Sequence, residues 1–244
     1  MIDAKTCALW ARSSRYKSRV NRTRDSIADM LLVARKPYIA FSCGKDSSVM
    51  ADMILRQNPA IPLRFVSRGE TRLMHNVDAV LEYFRSAYDA NIEEILFDRV
   101  FSEEWKDASF AAQQEAGKRD IRDIDNTGYD AVFMGLRIQE SRKRSITLRY
   151  HRTEGLPDGT YRYKGREFYR FCPLAQWRTE DVGAYLTEHN IPVLDWYRDF
   201  GFEGRTTSRL NDEALKQNTL FWLRQNNPDG YQKLVTRFPE LRIY

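Results

Sequence analysis

Cysteine is scarce in this chain: of 244 residues only Cys7, Cys43 and Cys172 carry a thiol. Three thiols so far apart form no disulfide framework, and without a C-x-x-C pair they offer no zinc or iron–sulfur site of that kind. Long apolar runs are missing too. No stretch of about 18 apolar residues occurs, so no membrane-spanning helix is expected. The first residues hold no apolar core of the sort a secretory signal needs, because Arg12, Arg15, Lys17 and Arg19 follow almost at once. These absences give the expectation of a cytoplasmic protein. Hydrophobic residues at 42% and charged residues at 30% are ordinary for a folded domain. The length suits one α/β domain with a modest appendage, and a core of that size needs no staples.

Charge is present in excess of one sign, and unevenly. The net charge is +5, from 39 basic and 34 acidic residues. From Met1 to Lys36 nine Lys or Arg face three Asp, and from Arg137 to Arg170 ten face four Asp or Glu. Two basic segments suggest contacts with a polyanion; the plainer reading is that they serve solubility and the phosphates of a small ligand.

The most informative stretch is Ala40-Phe41-Ser42-Cys43-Gly44-Lys45-Asp46-Ser47-Ser48. It lies between a short apolar run, Pro37 to Phe41, and a pattern in which Val49, Met50, Met53 and Ile54 share a helical face, so the spacing predicts strand, tight loop, helix. Such a turn cradles phosphate. Gly44 lets the backbone approach an anion, the helix start presents unpaired N–H groups, and Ser42, Lys45, Ser47 and Ser48 add hydroxyls and an ammonium. It is not a Walker loop, because the glycine that spacing needs at position 39 is Ile39. Cys43 sits inside the anion loop, where a helix start and Lys45 favour the thiolate, and it is a candidate sulfur carrier. Cys172 reads as a buried small apolar residue.

Further strands are expected at Leu63 to Val66, Ile92 to Phe97 and Tyr129 to Met134, alternating with helices over Leu73 to Phe84 and Phe110 to Arg122. That alternation predicts an α/β fold with a doubly wound, mainly parallel sheet and a helical C-terminal extension. The expected boundaries are a basic N-terminal helical segment at 1–36, a nucleotide domain at 37–200 and the extension at 201–244. Ligands of such sheets lie beyond the carboxyl ends of the strands, where the Ser42 loop and Ser67 both fall. Gly135 at the end of the fourth strand, followed by Arg137 and Arg142, places guanidinium groups where phosphates are gripped. Tyr161 to Arg166 reads as an aromatic and basic hairpin after the Pro157-Asp158-Gly159 turn. It is either an amphipathic cover or a surface for single-stranded nucleic acid. Thr179 reads as the N-cap of a helix carrying Val182, Tyr185 and Leu186.

Three elements carry a family resemblance. Ser42-Cys43-Gly44-Lys45-Asp46-Ser47 resembles the S-x-G-K-D-S loop of the PP-loop ATP pyrophosphatases, in the branch of PAPS reductases and the sulfate adenylyltransferase small subunit. Gly135-Leu136-Arg137-Ile138-Gln139-Glu140-Ser141 is similar to that branch's G-x-R-x-x-E-S element, with Arg142, Lys143 and Arg144 following; which of Arg142 and Arg144 has the family role stays open. Pro173-Leu174 through Trp177, Asp181-Val182 and Tyr185-Leu186 resembles its P-L-x-x-W-x-x-x-D-V-x-x-Y-[IL] element, whose role is architectural. Ser67-Arg68-Gly69 departs from the family's Asp-Thr-Gly, so the usual acidic residue is absent and Arg68 stands nearby.

The resemblance implies an adenine nucleotide alpha hydrolase-like fold, ATP and Mg²⁺, and cleavage between the α and β phosphates with adenylylation of an acceptor. Ala40, Phe41, Ser42, Gly44, Ser47, Ser48, Ser67, Gly135 and Arg142 would bind the nucleotide. Lys45, Asp46 and Arg137 would act in the chemistry, with Asp46 either a helix-start carboxylate or a metal ligand. Relatives that reduce sulfonucleotides use a tail cysteine, whereas no cysteine follows Cys172 here and Gly204 to Arg209 takes that region. Arg205 and Arg209 are candidate phosphate contacts. The implied role is activation for sulfur incorporation, most of all DNA phosphorothioate modification with a cysteine desulfurase partner and nucleic acid as acceptor. A sulfate adenylyltransferase small subunit-like or sulfonucleotide reductase-like enzyme is the alternative, and a nucleotide-binding regulatory or scaffold protein the alternative of another class.

Overall fold

Pro37 cannot extend the helical segment before it, and strand β1 (Pro37–Phe41) begins on that residue. The computed structural model describes residues 4–68, 71–72, 76–97, 102–120, 124, 126–150, 153–162, 167–204 and 213–243. With β2 (Leu63–Arg68), β3 (Ile92–Phe97), β4 (Ala131–Phe133), β5 (Thr160–Tyr161) and β6 (Tyr169–Phe171), β1 forms a six-stranded sheet ordered β3-β2-β1-β4-β6-β5. β1 runs parallel to β2, with Ile39 beside Leu63, and parallel to β4, with Ile39 beside Phe133. β4 and β6 are parallel, and β5 runs antiparallel to β6. The sheet is doubly wound as expected: the chain leaves β1 outward through β2 and β3, then returns to the other side through β4. The boundary between β1 and β4 is therefore where the winding reverses and where such sheets open a crevice at their carboxyl ends. Ile39, Phe41, Ala131, Val132, Phe133 and Phe171 are buried, the near-continuous apolar character that a sheet covered on both faces requires.

The chain divides into two units. The first comprises residues 1–65, 78–93 and 126–204, and the second 66–77, 94–125 and 205–244. In the second, the Phe110 ring meets Phe238 edge-on at 5.0 Å, and the Phe110 N–H donates to Glu240 Oε1 at 2.9 Å. Its last helices are Glu213–Asn226 and Pro228–Arg237, the latter capped by Asn227 accepting from the Gly230 N–H at 3.0 Å.

Several local expectations need correction. The N-terminal segment is two helices, α1 (Ala4–Ala11) and α2 (Ser14–Val33), because the Ser13 hydroxyl accepts the Tyr16 N–H at 3.2 Å and caps a fresh start. Helix α3 (Lys45–Leu55) is not amphipathic in its setting: every residue from Ser47 to Leu55 is buried. Its one carboxylate beyond the first turn, Asp52, accepts from Tyr185 at 2.7 Å, Tyr83 at 3.4 Å, Tyr88, and the Arg56 guanidinium at 2.7 Å. Thr179 is the first residue of the Thr179–Glu188 helix and not its cap; Asp181 reaches back to the Arg178 N–H at 2.8 Å, the backward half of a capping box. The Pro157 turn closes on Gly159 at φ +87°, where a Cβ would lie 2.4 Å from the Cys172 carbonyl oxygen. Residues 163–166 of the expected hairpin, and Arg205 and Arg209, lie outside the described residues. Among the described residues no helix is long and apolar enough to cross a membrane.

Candidate functional site

The β1 exit makes its turn in three residues. Ser42 follows the strand, Cys43 takes φ +56°, and Gly44 is the N-cap of α3 with φ −76°. A left-handed conformation at a residue with a Cβ costs on the order of 1 kcal/mol, and it sharpens the turn so that α3 starts directly over the strand end. The turn is knotted by hydroxyls: Ser47 Oγ lies 3.0 Å from Ser42 Oγ, donates to the Gly44 carbonyl at 2.9 Å, and receives the Ser42 N–H at 3.3 Å. Gly44 has no side chain with which to cap the helix, so the first N–H groups of α3 receive no hydrogen bond from the N-cap residue. Ser48 Oγ is buried and has no hydrogen-bond partner among the described residues.

The charges at this helix start are nearly enclosed. Lys45 Nζ stands 3.0 Å from Asp46 Oδ2, and Arg137 Nε stands 2.6 Å from Asp46 Oδ1; the three side chains are 7%, 13% and 3% exposed. Two cations therefore share one carboxylate, leaving a net positive charge in a desolvated place at the positive end of a helix dipole. Arg137 is fixed further by Gln139 Oε1 at 3.1 Å, with the Trp177 carbonyl and Thr179 Oγ1 each at 3.5 Å. Its guanidinium, expected from the sequence as a phosphate grip, thus faces Asp46. Gly135 makes this approach physically feasible: a Cβ there would sit 3.0 Å from the Asp46 carbonyl carbon and the Ser47 nitrogen. The glycine brings the β4 exit against the first turn of α3, across the β1/β4 boundary.

Of the remaining sequence-predicted residues, Ala40 and Phe41 end β1. Phe41 belongs to the core, edge-on to Phe84 at 5.0 Å, so Phe41 has only its backbone to offer a ligand. Ser67 is buried near the carboxyl end of β2 in the second unit, its Oγ without a partner among the described residues. Arg142 is exposed at the start of the Arg142–Tyr150 helix, whereas Arg144 pairs with Glu140, whose carboxylate also takes the Arg137 N–H at 2.9 Å. Cys7, Cys43 and Cys172 are all buried free thiols. Burial pushes the Cys172 thiol up to about 12, so it is protonated at neutral pH and unsuited to nucleophilic sulfur transfer.

One site residue escaped the sequence reading. Tyr197, on the Asp195–Phe200 helix, receives the Lys45 N–H on its hydroxyl at 3.4 Å, and Lys45 Nζ lies 5.2 Å from its ring centroid. The same hydroxyl would be 3.5 Å from a Cβ on Gly44. Tyr197 roofs the loop, yet it sits 152 residues from Lys45, and nothing local to either residue announces the contact.

Comparison with known proteins gives the family and the fold. The family model for the phosphoadenosine phosphosulfate reductase domain matches residues 36–203. The chain is 25% identical over 200 residues to a phosphoadenosine 5'-phosphosulfate reductase of Alkalilimnicola ehrlichii, covering 75% of each. It is 23% identical to a sulfate adenylyltransferase subunit 2 of Rhodospirillum rubrum, covering 67% of this chain and 61% of that protein. Among solved structures, a PAPS reductase from Candida auris in complex with phosphate superposes with a TM-score of 0.52 at 18% identity, covering 78% of this chain and 89% of the other. The U34-tRNA thiolase NcsA of Methanococcus maripaludis gives 0.50 at 15% identity, covering 92% and 78%. At such identities the structural likeness speaks for the fold.

Proposed function

Because this chain belongs to the phosphoadenosine phosphosulfate reductase domain family, we propose that it cleaves ATP between the α and β phosphates and transfers the adenylyl group to an acceptor. An acceptor oxygen attacks the α-phosphorus, the bond to the α–β bridging oxygen breaks, and pyrophosphate departs with that oxygen. The observation that carries the reading is the enclosed Lys45–Asp46–Arg137 cluster, with its surplus positive charge at the start of α3. A polyphosphate leaving group is what such a site stabilises as charge develops on it. Ser42, Gly44, Ser47 and Ser48 would line the pyrophosphate, Lys45 would neutralise it, and Arg137 would hold Asp46 in place. Among the described residues no cluster of three His, Cys, Asp or Glu could hold a metal. Both Asp46 oxygens are engaged by Lys45 and Arg137, so Mg²⁺ would be held by nucleotide oxygens and would neutralise phosphate charge there.

Residues 173–244 hold no cysteine, which in our reading weighs toward sulfur incorporation, with sulfonucleotide reduction, the activity named for the Alkalilimnicola ehrlichii relative, kept as an alternative. DNA phosphorothioate modification in the cytoplasm, with a cysteine desulfurase partner, is the acceptor system this reading selects. Resemblance to two sulfate adenylyltransferase subunits 2 supports inorganic sulfate as the second reading. Pyrophosphate release measured with sulfate alone, and with DNA, desulfurase and cysteine, separates the two. Release is expected only in the second mixture; adenylylation of sulfate would overturn the DNA acceptor, and ATP binding without release in either mixture would make the protein a non-catalytic binder.

Tyr197 gives this site a graded test. A ring beside an ammonium contributes about 1 kcal/mol or somewhat more when enclosed. Tyr197→Ala is expected to raise the KM for ATP about tenfold, while Tyr197→Phe, which keeps the ring, raises it less than about threefold. Equal effects of the two changes in steady-state kinetics would assign the role to the hydroxyl instead.

A further inference from the structure

The N-terminal helices sort their cations into two sets, a division invisible in the composition. One set meets carboxylates of the chain. Arg19 lies 3.2 Å from Asp181 and donates to the Gln176 carbonyl, and the exposed Arg24 is 3.9 Å from the exposed Asp25. The other set, apart from the exposed Lys5 of α1, is Arg12, Arg15, Lys17 and Arg22, all exposed. Among the described residues none of these pairs with a carboxylate; Arg22 Nε meets only the Ser18 carbonyl of its own helix at 3.4 Å. The face opposite them is bolted to the domain: Tyr16, Thr23, Ile27 and Met30 are buried, Trp10 Nε1 donates to Asp181 at 2.9 Å, Tyr16 to Glu188 at 2.6 Å, and Trp177 Nε1 to Thr23 at 2.8 Å. The outward arc is consequently held rigidly. Between Ala4 and Arg24 there is no acidic residue, and the exposed Asp25 and Asp29 bound the arc at its far end, past Arg22 on α2.

We infer that this arc of Arg12, Arg15, Lys17 and Arg22 is a docking surface for the phosphate backbone of a nucleic-acid duplex. Arg15 and Arg22 are seven residues apart on one edge of α2, about 10 Å along the axis, and Lys17 stands on the other edge with Ser18 and Asn21 between. A duplex presents one charge per ~1.7 Å, so this span opposes about six phosphates. The arc carries no stacking platform: its segment's two aromatics are Tyr16, buried, and Trp10, tied to Asp181. Single strands are held by aromatics interleaved with charge, so a cationic arc without them fits the duplex. Nor does it carry the broad apolar face by which helices lie on membranes. As a choice of acceptor class the inference rests on the reading of the ATP site; as a binding surface it stands or falls alone.

Fluorescence anisotropy of the full chain against a random-sequence DNA duplex, the matching RNA duplex and the single strand tests it. Four neutralised phosphates give a slope of about −3.6 in log K against log salt, an affinity loss of about 150-fold between about 50 and 200 mM salt. The combined variant Arg15→Gln, Lys17→Gln, Arg22→Gln keeps one of the four cations, and its loss over that range shrinks to about 3.5-fold. Binding of either duplex with this change in slope supports the inference, and the tighter duplex identifies the acceptor polymer. A variant that keeps the steep salt dependence, a single strand that outcompetes both duplexes, or capture by phosphatidylserine vesicles with no duplex bound would overturn it. Pyrophosphate release by the same variant, with a small acceptor, is expected to match the unaltered protein. Duplex binding that fails while release persists rejects the surface; release that is absent while duplex binding persists rejects the ATP reading.

Discussion

Lys45→Ala is expected to lower ATP-dependent pyrophosphate release by about a thousandfold, roughly 4 kcal/mol of transition-state stabilisation. The ammonium is 7% exposed and stands 3.0 Å from Asp46 at the start of a helix whose N-cap residue is Gly44. Charge developing on the leaving pyrophosphate would meet it in a place where solvent screens little, which is where a single cation has its largest effect. The fold should be nearly indifferent to the change. Asp46 retains Arg137 at 2.6 Å, so removing Lys45 converts a cluster of net charge +1 into a neutral pair and leaves no unpaired carboxylate. A continuous pyrophosphate assay and a thermal melt in parallel check both halves. A variant within about tenfold of the unaltered rate would move the chemistry away from this loop.

Asp52→Ala is expected to do the reverse, costing about 3–5 kcal/mol of stability. The carboxylate is fully buried and gathers Tyr83, Tyr88 and Tyr185 with Arg56. Alanine would strand three hydroxyls and a guanidinium around a cavity, and each stranded group loses its compensation for leaving water. Asp52→Asn should recover part of the loss, because one carbonyl oxygen still accepts from the tyrosines while the ion pair with Arg56 is gone. Urea denaturation gives both values; an Asp52→Ala midpoint equal to that of the unaltered protein would refute the argument. The same cluster has an alkaline signature. Burial first, together with Asp52, raises the phenols of Tyr88 and Tyr185 above their ordinary value. The folded state therefore keeps protons that the unfolded chain releases above about pH 10, so stability is full below that pH and falls as pH rises beyond it.

The two residues illustrate what the sequence could disclose. The loop was legible because its parts are contiguous: an apolar run, Ser42 to Ser48 and a helical pattern lie within about twenty residues, and their local physics suffices to predict strand, turn and helix. The strand alternation likewise gave the parallel sheet, since its hydrophobic periods are local. Asp46 was left between two readings because its second partner, Arg137, is 91 positions away and only the β1/β4 boundary brings them together. Asp52 gave no signal at all. A lone carboxylate on an otherwise apolar helix reads as a solvent-facing position, and three tyrosines from two other helices have to converge on it before it can be buried. The break at Ser13 was missed for a related reason: neither Pro nor Gly marks it, and its cap is a single hydroxyl.

The brace between the N-terminal helices and the Thr179–Glu188 helix has a consequence for the order in which the molecule can be made. Trp10 and Asp181 are 171 residues apart, and Tyr16 and Glu188 are 172. At a synthesis rate of about 5–20 residues per second, α1 emerges roughly 10 to 35 seconds before its binding surface exists. α1 and α2 therefore dock only once the helix that receives them has been completed.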